Sequence, residues 1–220
     1  MEVLPAEQKQ LWPELAPTRG LGLVLYGGTA IALRLGHRSS VDFDFFSDMP
    51  IERKTLERAL PFLSRSTTVQ EEPNTLSVLV SGARDSSASV KVSFFGGLSF
   101  GRVGAPDPTS DGMIEIASLD DLMAMKLKVI LQRAEAKDYL DIARMIDARV
   151  SLERGLAAAR AMFGPAFQPN ESLKALTFFE DGTLGALRES ERKVLRTAAS
   201  SVRDLPAIPL LSKELRRARL

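Results

Sequence analysis

The chain has 220 residues, of which 45% are hydrophobic and 26% charged, and a formal net charge of +1. That is enough chain for one large domain or two small ones, and too balanced in charge for the global basic field of a general nucleic-acid binder. With no cysteine, a disulfide framework and any thiolate metal site are excluded.

The opening residues, MEVLPAEQKQLW, lack the basic start and apolar core of a signal peptide. No apolar run approaches the ~20 residues of a membrane helix. The expectation is a cytoplasmic protein with no membrane partner. Residues 21–26 (LGLVLY) read as a buried strand and 28–35 as a short helix. A polar turn, GHRSS, leads into a strand over 41–46 that carries Asp42 and Asp44 between Val41, Phe43, Phe45 and Phe46. Ile51, Leu56, Leu60 and Leu63 fall at helical spacing, with Pro50 at the expected helix start. Strands are expected near 66–71, 75–81 and 88–95, separated by Glu71–Asn74 and Gly82–Ser87. Residues 96–112 are rich in Gly, Pro and Asp and read as a loop around a short strand near 98–103.

After residue 117 the pattern becomes helical. Ser118 and Asp121 form an expected capping box, in which hydroxyl and carboxylate satisfy the first free amides. Helices are expected at roughly 119–134, 137–148, 151–163, 170–178 and 188–204. The fold class is therefore α+β. A mixed sheet with flanking helices spans 1–117, and a helical domain over 118–220 is expected to complete the active-site cleft. No internal repeat is visible.

Four groups of residues can carry chemistry. Gly27, Gly28 and Thr29 lie at a strand-to-helix turn. There glycines let backbone approach a ligand, helix amides attract phosphate, and the Thr29 hydroxyl can donate to it; the alternative is a tight turn with Thr29 as N-cap. Asp42 and Asp44, at i and i+2, point to one face of their strand, and two such carboxylates are tolerable with a divalent cation between them. Lys126 falls on the apolar face of its helix among Leu119, Leu122, Met123, Leu127 and Ile130, where a lysine is costly unless paired. It either reaches a phosphate or snorkels to water. Replacing it with Met is expected to leave stability unchanged or raised. Asp138 flanks the apolar face of the next helix, with Asp141 further round. Asp138 either orients Lys126 or a ligand, or is a favourable first-turn acid. Lys128, Arg133 and Lys137 fit as solvated charges. His37 is the only histidine and fits a turn better than catalysis. Glu180–Thr183 reads as a turn between helices, and the basic tail 212–220 as a solvated helix end.

LYGGTAIALRLGHRSSVDFDFFS, followed by the lysine helix and KDYLDIARMI, resembles the AbiE-type (AbiEii-like) toxin nucleotidyltransferases of the polymerase-β-like superfamily over residues 21–147. The resemblance implies a type IV toxin–antitoxin or abortive-infection role with a cognate antitoxin. It also implies transfer from an NTP with Mg²⁺ as cofactor, and RNA (tRNA) or protein as acceptor. It assigns the triphosphate to Gly27, Gly28 and Thr29, metal to Asp42 and Asp44, phosphate contact to Lys126, and completion of the site to Asp138 and Asp141. One departure stands out. Many members of the superfamily carry a third carboxylate on a later central strand, where this chain has Ser93 in VKVSFF. A serine does not take a proton from an attacking hydroxyl as a carboxylate does. A catalytically idle NTP-binding module of the same fold is therefore the competing reading. Two other DxD enzymes fit less well. A haloacid-dehalogenase phosphatase follows its DxD with different residues, and a glycosyltransferase has no use for the upstream GGT.

Overall fold

The computed structural model describes residues 3–81 and 89–217, so the turn expected over Gly82–Ser87 lies outside the described residues. These form two compact units. The first takes in the described residues up to 101, 105–117 and those from 212 onward; the second takes in 102–104 and 118–211.

The first unit is built on a seven-stranded mixed sheet. Its strands are β1 (Val24–Tyr26), β2 (Asp42–Phe46), β3 (Ser66–Glu72), β4 (Thr75–Ser81), β5 (Ser89–Phe95), β6 (Asp107–Pro108) and β7 (Glu115–Ile116), in the order β3-β4-β5-β2-β1-β7-β6. β2 pairs antiparallel with β1 and parallel with β5. Helix α1 (Ala6–Leu11) and a 3₁₀ segment over Trp12–Arg19 precede the sheet; Pro13 and Pro17 hide this stretch from helical periodicity. Helix α2 (Gly27–Leu35) joins β1 to β2 and ends at Gly36 in the left-handed region. The core lies on one face of the sheet, where Phe43, Phe45, Phe94, Val92 and Trp12 are buried. There the Phe45 and Phe94 rings stack at 5.7 Å. The Trp12 indole donates to Asp111 at 2.7 Å.

Several expectations shift here. The helix read over 51–63 is α3 (Arg53–Ala59) followed by a 3₁₀ turn over Pro61–Arg65. Pro61 forces Leu60 out of the helical region. No strand forms over 98–103; the short added strand is β6, further on. The tail is no helix end of the second unit. Leu215 is fully buried in the first, its N–H donating to Asp48 Oδ1 at 2.9 Å.

The second unit holds α4 (Leu119–Val129), α5 (Ala136–Asp147), α6 (Leu152–Phe163), α7 (Pro169–Ala175) and α8 (Glu189–Ser201). Ser118 caps α4 by accepting from the Asp121 N–H at 3.1 Å. The Asp121 carboxylate does not complete the box. It accepts from the Val103 N–H at 2.8 Å and the Ser118 hydroxyl at 2.8 Å. Burial pushes its pKa up despite these bonds. Among the described residues, no helix is long and apolar enough to cross a membrane.

α6 packs closely on α4 through Gly155, where an added Cβ would stand 2.3 Å from Met123 Cγ. Helix propensity alone favours alanine by ~1 kcal/mol. Overpacking has the opposite sign, so Gly155→Ala is expected to destabilise the protein by ~1–3 kcal/mol. Denaturant unfolding of the two proteins gives the sign directly.

Candidate active site

The site in the first unit begins with the alternation of β2. Phe43 and Phe45 are fully buried, while Asp42, Asp44 and Phe46 lie half-exposed on the opposite face. The two carboxylates therefore share one face. The Asp42 carboxylate has no ion-pair or hydrogen-bond partner among the described residues. Hard oxygen donors placed in this way fit a divalent cation. Among the described residues, no cluster of three or more His, Cys, Asp or Glu could hold a metal, so the donor set is a pair.

The neighbouring strands explain why. In the parallel β2–β5 register, Asp44 stands beside Ser93 and Asp42 beside Lys91. Ser93 is buried and meets the Ser77 hydroxyl of β4 at 3.0 Å. The position on the next strand that faces the same way as Asp44 therefore carries a hydroxyl engaged with another hydroxyl. On the other side Tyr26 is the register partner of Asp44 and stacks on Phe46 at 4.8 Å.

Gly27, Gly28 and Thr29 are the first three residues of α2, whose N–H groups lack intrahelical acceptors. The glycines have a reason other than close approach of a ligand. Gly27 has φ +72°, and a Cβ there would lie 2.5 Å from Asp44 Oδ2. A Cβ on Gly28 would lie 2.5 Å from an Arg38 guanidinium nitrogen and 3.1 Å from Ser40 Oγ. Both make room for the protein's own side chains. Thr29 is neither an N-cap nor a free donor. It is buried, and its hydroxyl donates to the Asp42 carbonyl, which ties α2 to β2. The hydroxyl that the sequence offers to a triphosphate is thus engaged with the strand here, and the Thr29 backbone N–H is one of the first of α2. The polar turn with His37 also supplied a residue that sequence reasoning passed over, Arg38. Its signal was an arginine between a helix C-terminus and the DxD strand.

In the second unit Lys126, Asp138 and Asp141 converge. Lys126 Nζ lies 2.6 Å from Asp138 Oδ1 and 2.8 Å from Asp141 Oδ2. Lys126 does not snorkel; its side chain is 8% exposed and both acids are fully buried. Asp141, read as lying further round its helix, belongs to the same cluster. Arg133 is more than a solvated charge, since its Nε donates to Asp138 Oδ2 at 2.8 Å. Burial pushes the Asp138 carboxyl up, but Lys126 and Arg133 outweigh it and hold the group below the ordinary carboxylate range. Lys128 donates to the Ala166 carbonyl at 2.7 Å, and Lys137 pairs with Glu135 at 2.9 Å.

A family model for the AbiEii nucleotidyl transferase toxin of type IV toxin–antitoxin systems matches residues 15–199. The chain belongs to the AbiEii family. An uncharacterised protein of Aquifex aeolicus (strain VF5) is 35% identical over 120 residues, which is 54% of this chain and 54% of that protein. This AbiEii-family chain thus spans about half the length of the curated relative it matches. Two solved structures share the fold. An antigenic nucleotidyltransferase-like protein from Paracoccidioides brasiliensis matches with a TM-score of 0.56 and 16% identity, over 92% of this chain and 94% of that one. MenT4, a nucleotidyltransferase toxin from Mycobacterium tuberculosis H37Rv, matches with a TM-score of 0.59 and 13% identity, over 89% and 83%.

The ion cluster reverses the expectation for Lys126→Met. Removing the ammonium leaves two buried carboxylates facing each other, so a loss of ~3–5 kcal/mol is expected. Adding Asp138→Asn and Asp141→Asn should recover much of it, as read by denaturant unfolding. The cluster also sets a pH dependence. Because the folded pKa of Asp138 is lowered, its contribution is present above the unfolded pKa. It is lost as the pH falls through the folded one. Stability should therefore fall on acidification below the ordinary carboxylate range. Asp138→Asn should be less stable at neutral pH and show a shallower acid slope in unfolding curves taken across that range.

Proposed function

We propose that the chain is a Mg²⁺-dependent nucleotidyltransferase that moves a nucleotide from an NTP to a hydroxyl acceptor, an RNA such as tRNA or a protein. It would act as the toxin of a pair with a cognate antitoxin. The observation that carries this reading is the carboxylate pair on the open face of β2, with Gly27 at the start of α2 against Asp44. Family membership and the likeness to MenT4 support the same class of protein.

In this reading Asp42 and Asp44 hold Mg²⁺. Held there, Mg²⁺ would supply charge neutralisation at the triphosphate and would lower the pKa of the acceptor hydroxyl. The first-turn N–H groups of Gly27, Gly28 and Thr29 receive phosphate oxygens. Lys126 is assigned to phosphate contact, with Asp138 and Asp141 as the acids that hold its ammonium. The acceptor oxygen forms a bond to the α-phosphorus as the bond from that phosphorus to pyrophosphate breaks. The hydroxyl proton passes to a carboxylate of the Asp42–Asp44 pair.

A specific observation favours a second reading. Ser93 occupies the register position beside Asp44 and is buried against Ser77, so no third acid assists there. The chain would then bind NTP without transferring it. Incubation with each NTP labelled at the α-phosphate, Mg²⁺ and total RNA or protein separates the two. Transfer of label by the wild type, reduced by roughly 100-fold or more in Asp42→Ala, is the expected result. NTP binding that depends on Asp42, without label transfer, selects the idle module. If the wild type neither binds nor transfers any NTP, both readings fall.

A further inference from the structure

Lys91 has no role in the site as argued so far, yet it stands on the same face as the carboxylates. In the parallel β2–β5 ladder it is the register partner of Asp42, on strands ~4.8 Å apart. Val90, Val92 and Phe94 of β5 are buried on the side of Phe43 and Phe45, so alternation turns Lys91 to the side of Asp42 and Asp44. Its side chain is exposed. Its other neighbours on that face are Leu79 of β4, Ser89 and Ser93, none of them an acid. Opposite charges on adjacent strands gain by pairing. Yet Lys91 and Asp42 make no ion pair or hydrogen bond with each other or with any other described residue.

Two further observations bear on what this ammonium serves. The acids on the face are a pair, because Ser93 holds the next position and meets Ser77. Two-metal sites bring two positive ions to the reacting phosphate. Here two acids able to hold one divalent cation stand beside one lysine. The other lysine assigned to phosphate, Lys126, has its charge balanced within its own cluster, where Lys126 and Arg133 face Asp138 and Asp141. Lys91 adjoins only an acid committed to the cation, so its own charge is left for a ligand.

We infer that Lys91 is a substrate-binding residue, its ammonium contacting the α-phosphate of the NTP at the Asp42–Asp44 pair. The inference rests on the triphosphate reading above and adds the side chain that holds the reacting phosphate. A lysine suits the task as a compact charge on a flexible stem, needing no ligands of its own. It brings to β5 a positive charge where Ser93 gives no donor for a second ion.

The test is calorimetric titration of Mg²⁺ alone, of each NTP with Mg²⁺, and of inorganic tripolyphosphate with Mg²⁺. The proteins are wild type, Lys91→Gln, Lys91→Arg and Asp42→Ala, with thermal unfolding midpoints to check folding. The titration reads binding alone, so it serves a transferase and an idle module alike. Lys91→Gln is expected to weaken NTP and tripolyphosphate by the same factor, about 10-fold or more. It should bind Mg²⁺ alone as tightly as wild type or more tightly, since a neighbouring positive charge is gone. Lys91→Arg keeps the charge and should lie between Lys91→Gln and wild type. A loss of Mg²⁺ affinity in Lys91→Gln, parallel to the loss of NTP, overturns the inference, because Lys91 then only orders Asp42. An equal loss of NTP in Lys91→Arg and Lys91→Gln also overturns it, because charge is then not what binds. If Lys91→Gln binds NTP like wild type while Asp42→Ala does not, the inference falls and the triphosphate reading stands. If Lys91→Gln fails to fold, Lys91→Ala takes its place under the same criteria. If wild type binds no NTP, the underlying reading fails and the inference with it.

Discussion

Everything on the open face of the sheet depends on the burial of Phe43 and Phe45. Each ring is worth ~1.5–3 kcal/mol when taken out of water, and successive side chains of a strand point to opposite faces. Once those rings enter the core, Asp42 and Asp44 have no choice of side. A slip of one residue would bury two carboxylates and expose two phenylalanines, so the register is strongly specified. The same register fixes the neighbours: Ser93 and Lys91 on β5, Tyr26 on β1. The electrostatics of the face are thus set by hydrophobic packing on the far side of the sheet.

The glycines at the start of α2 show how local backbone freedom serves that face. Gly27 adopts a positive φ and leaves space that the Asp44 carboxylate fills. Gly28 leaves space for Arg38 and Ser40. A side chain at either position would push charged groups of opposite sign away from one helix start. Thr29, with its hydroxyl on the Asp42 carbonyl, locks that start to the strand carrying the acids. The turn therefore works as a spacer for the protein's own side chains.

The second unit solves a different problem. Lys126 sits on the packing face of α4, where a lone ammonium would be expensive to bury. Asp138 and Asp141, one turn apart on α5, both reach it, and Arg133 offsets the surplus negative charge. Such a cluster adds little net stability over an apolar core. It makes every member indispensable to the others, because the loss of one strands a buried charge.

By itself the sequence determined the α+β class, the strand carrying the DxD pair, the helix beginning at the glycines, and the placement of Lys126 on an apolar face. All of these follow from local periodicity and turn chemistry, which act over a few residues. Only the tertiary structure decided what those residues touch. Asp141 looked peripheral because one helix wheel cannot show where a partner helix brings a lysine. Arg133 looked solvated for the same reason. Ser118 and Asp121 read as a closed box, yet Asp121 turned to the Val103 N–H, 18 residues earlier. The N-terminal helix was masked by prolines, and the tail's burial through Leu215 rests on a contact with Asp48, 167 residues away. Register across β2 and β5, which sets Ser93 beside Asp44, is likewise a long-range fact. Pairing and burial between distant segments are chosen by the packing of the whole unit, and no window of sequence contains that information.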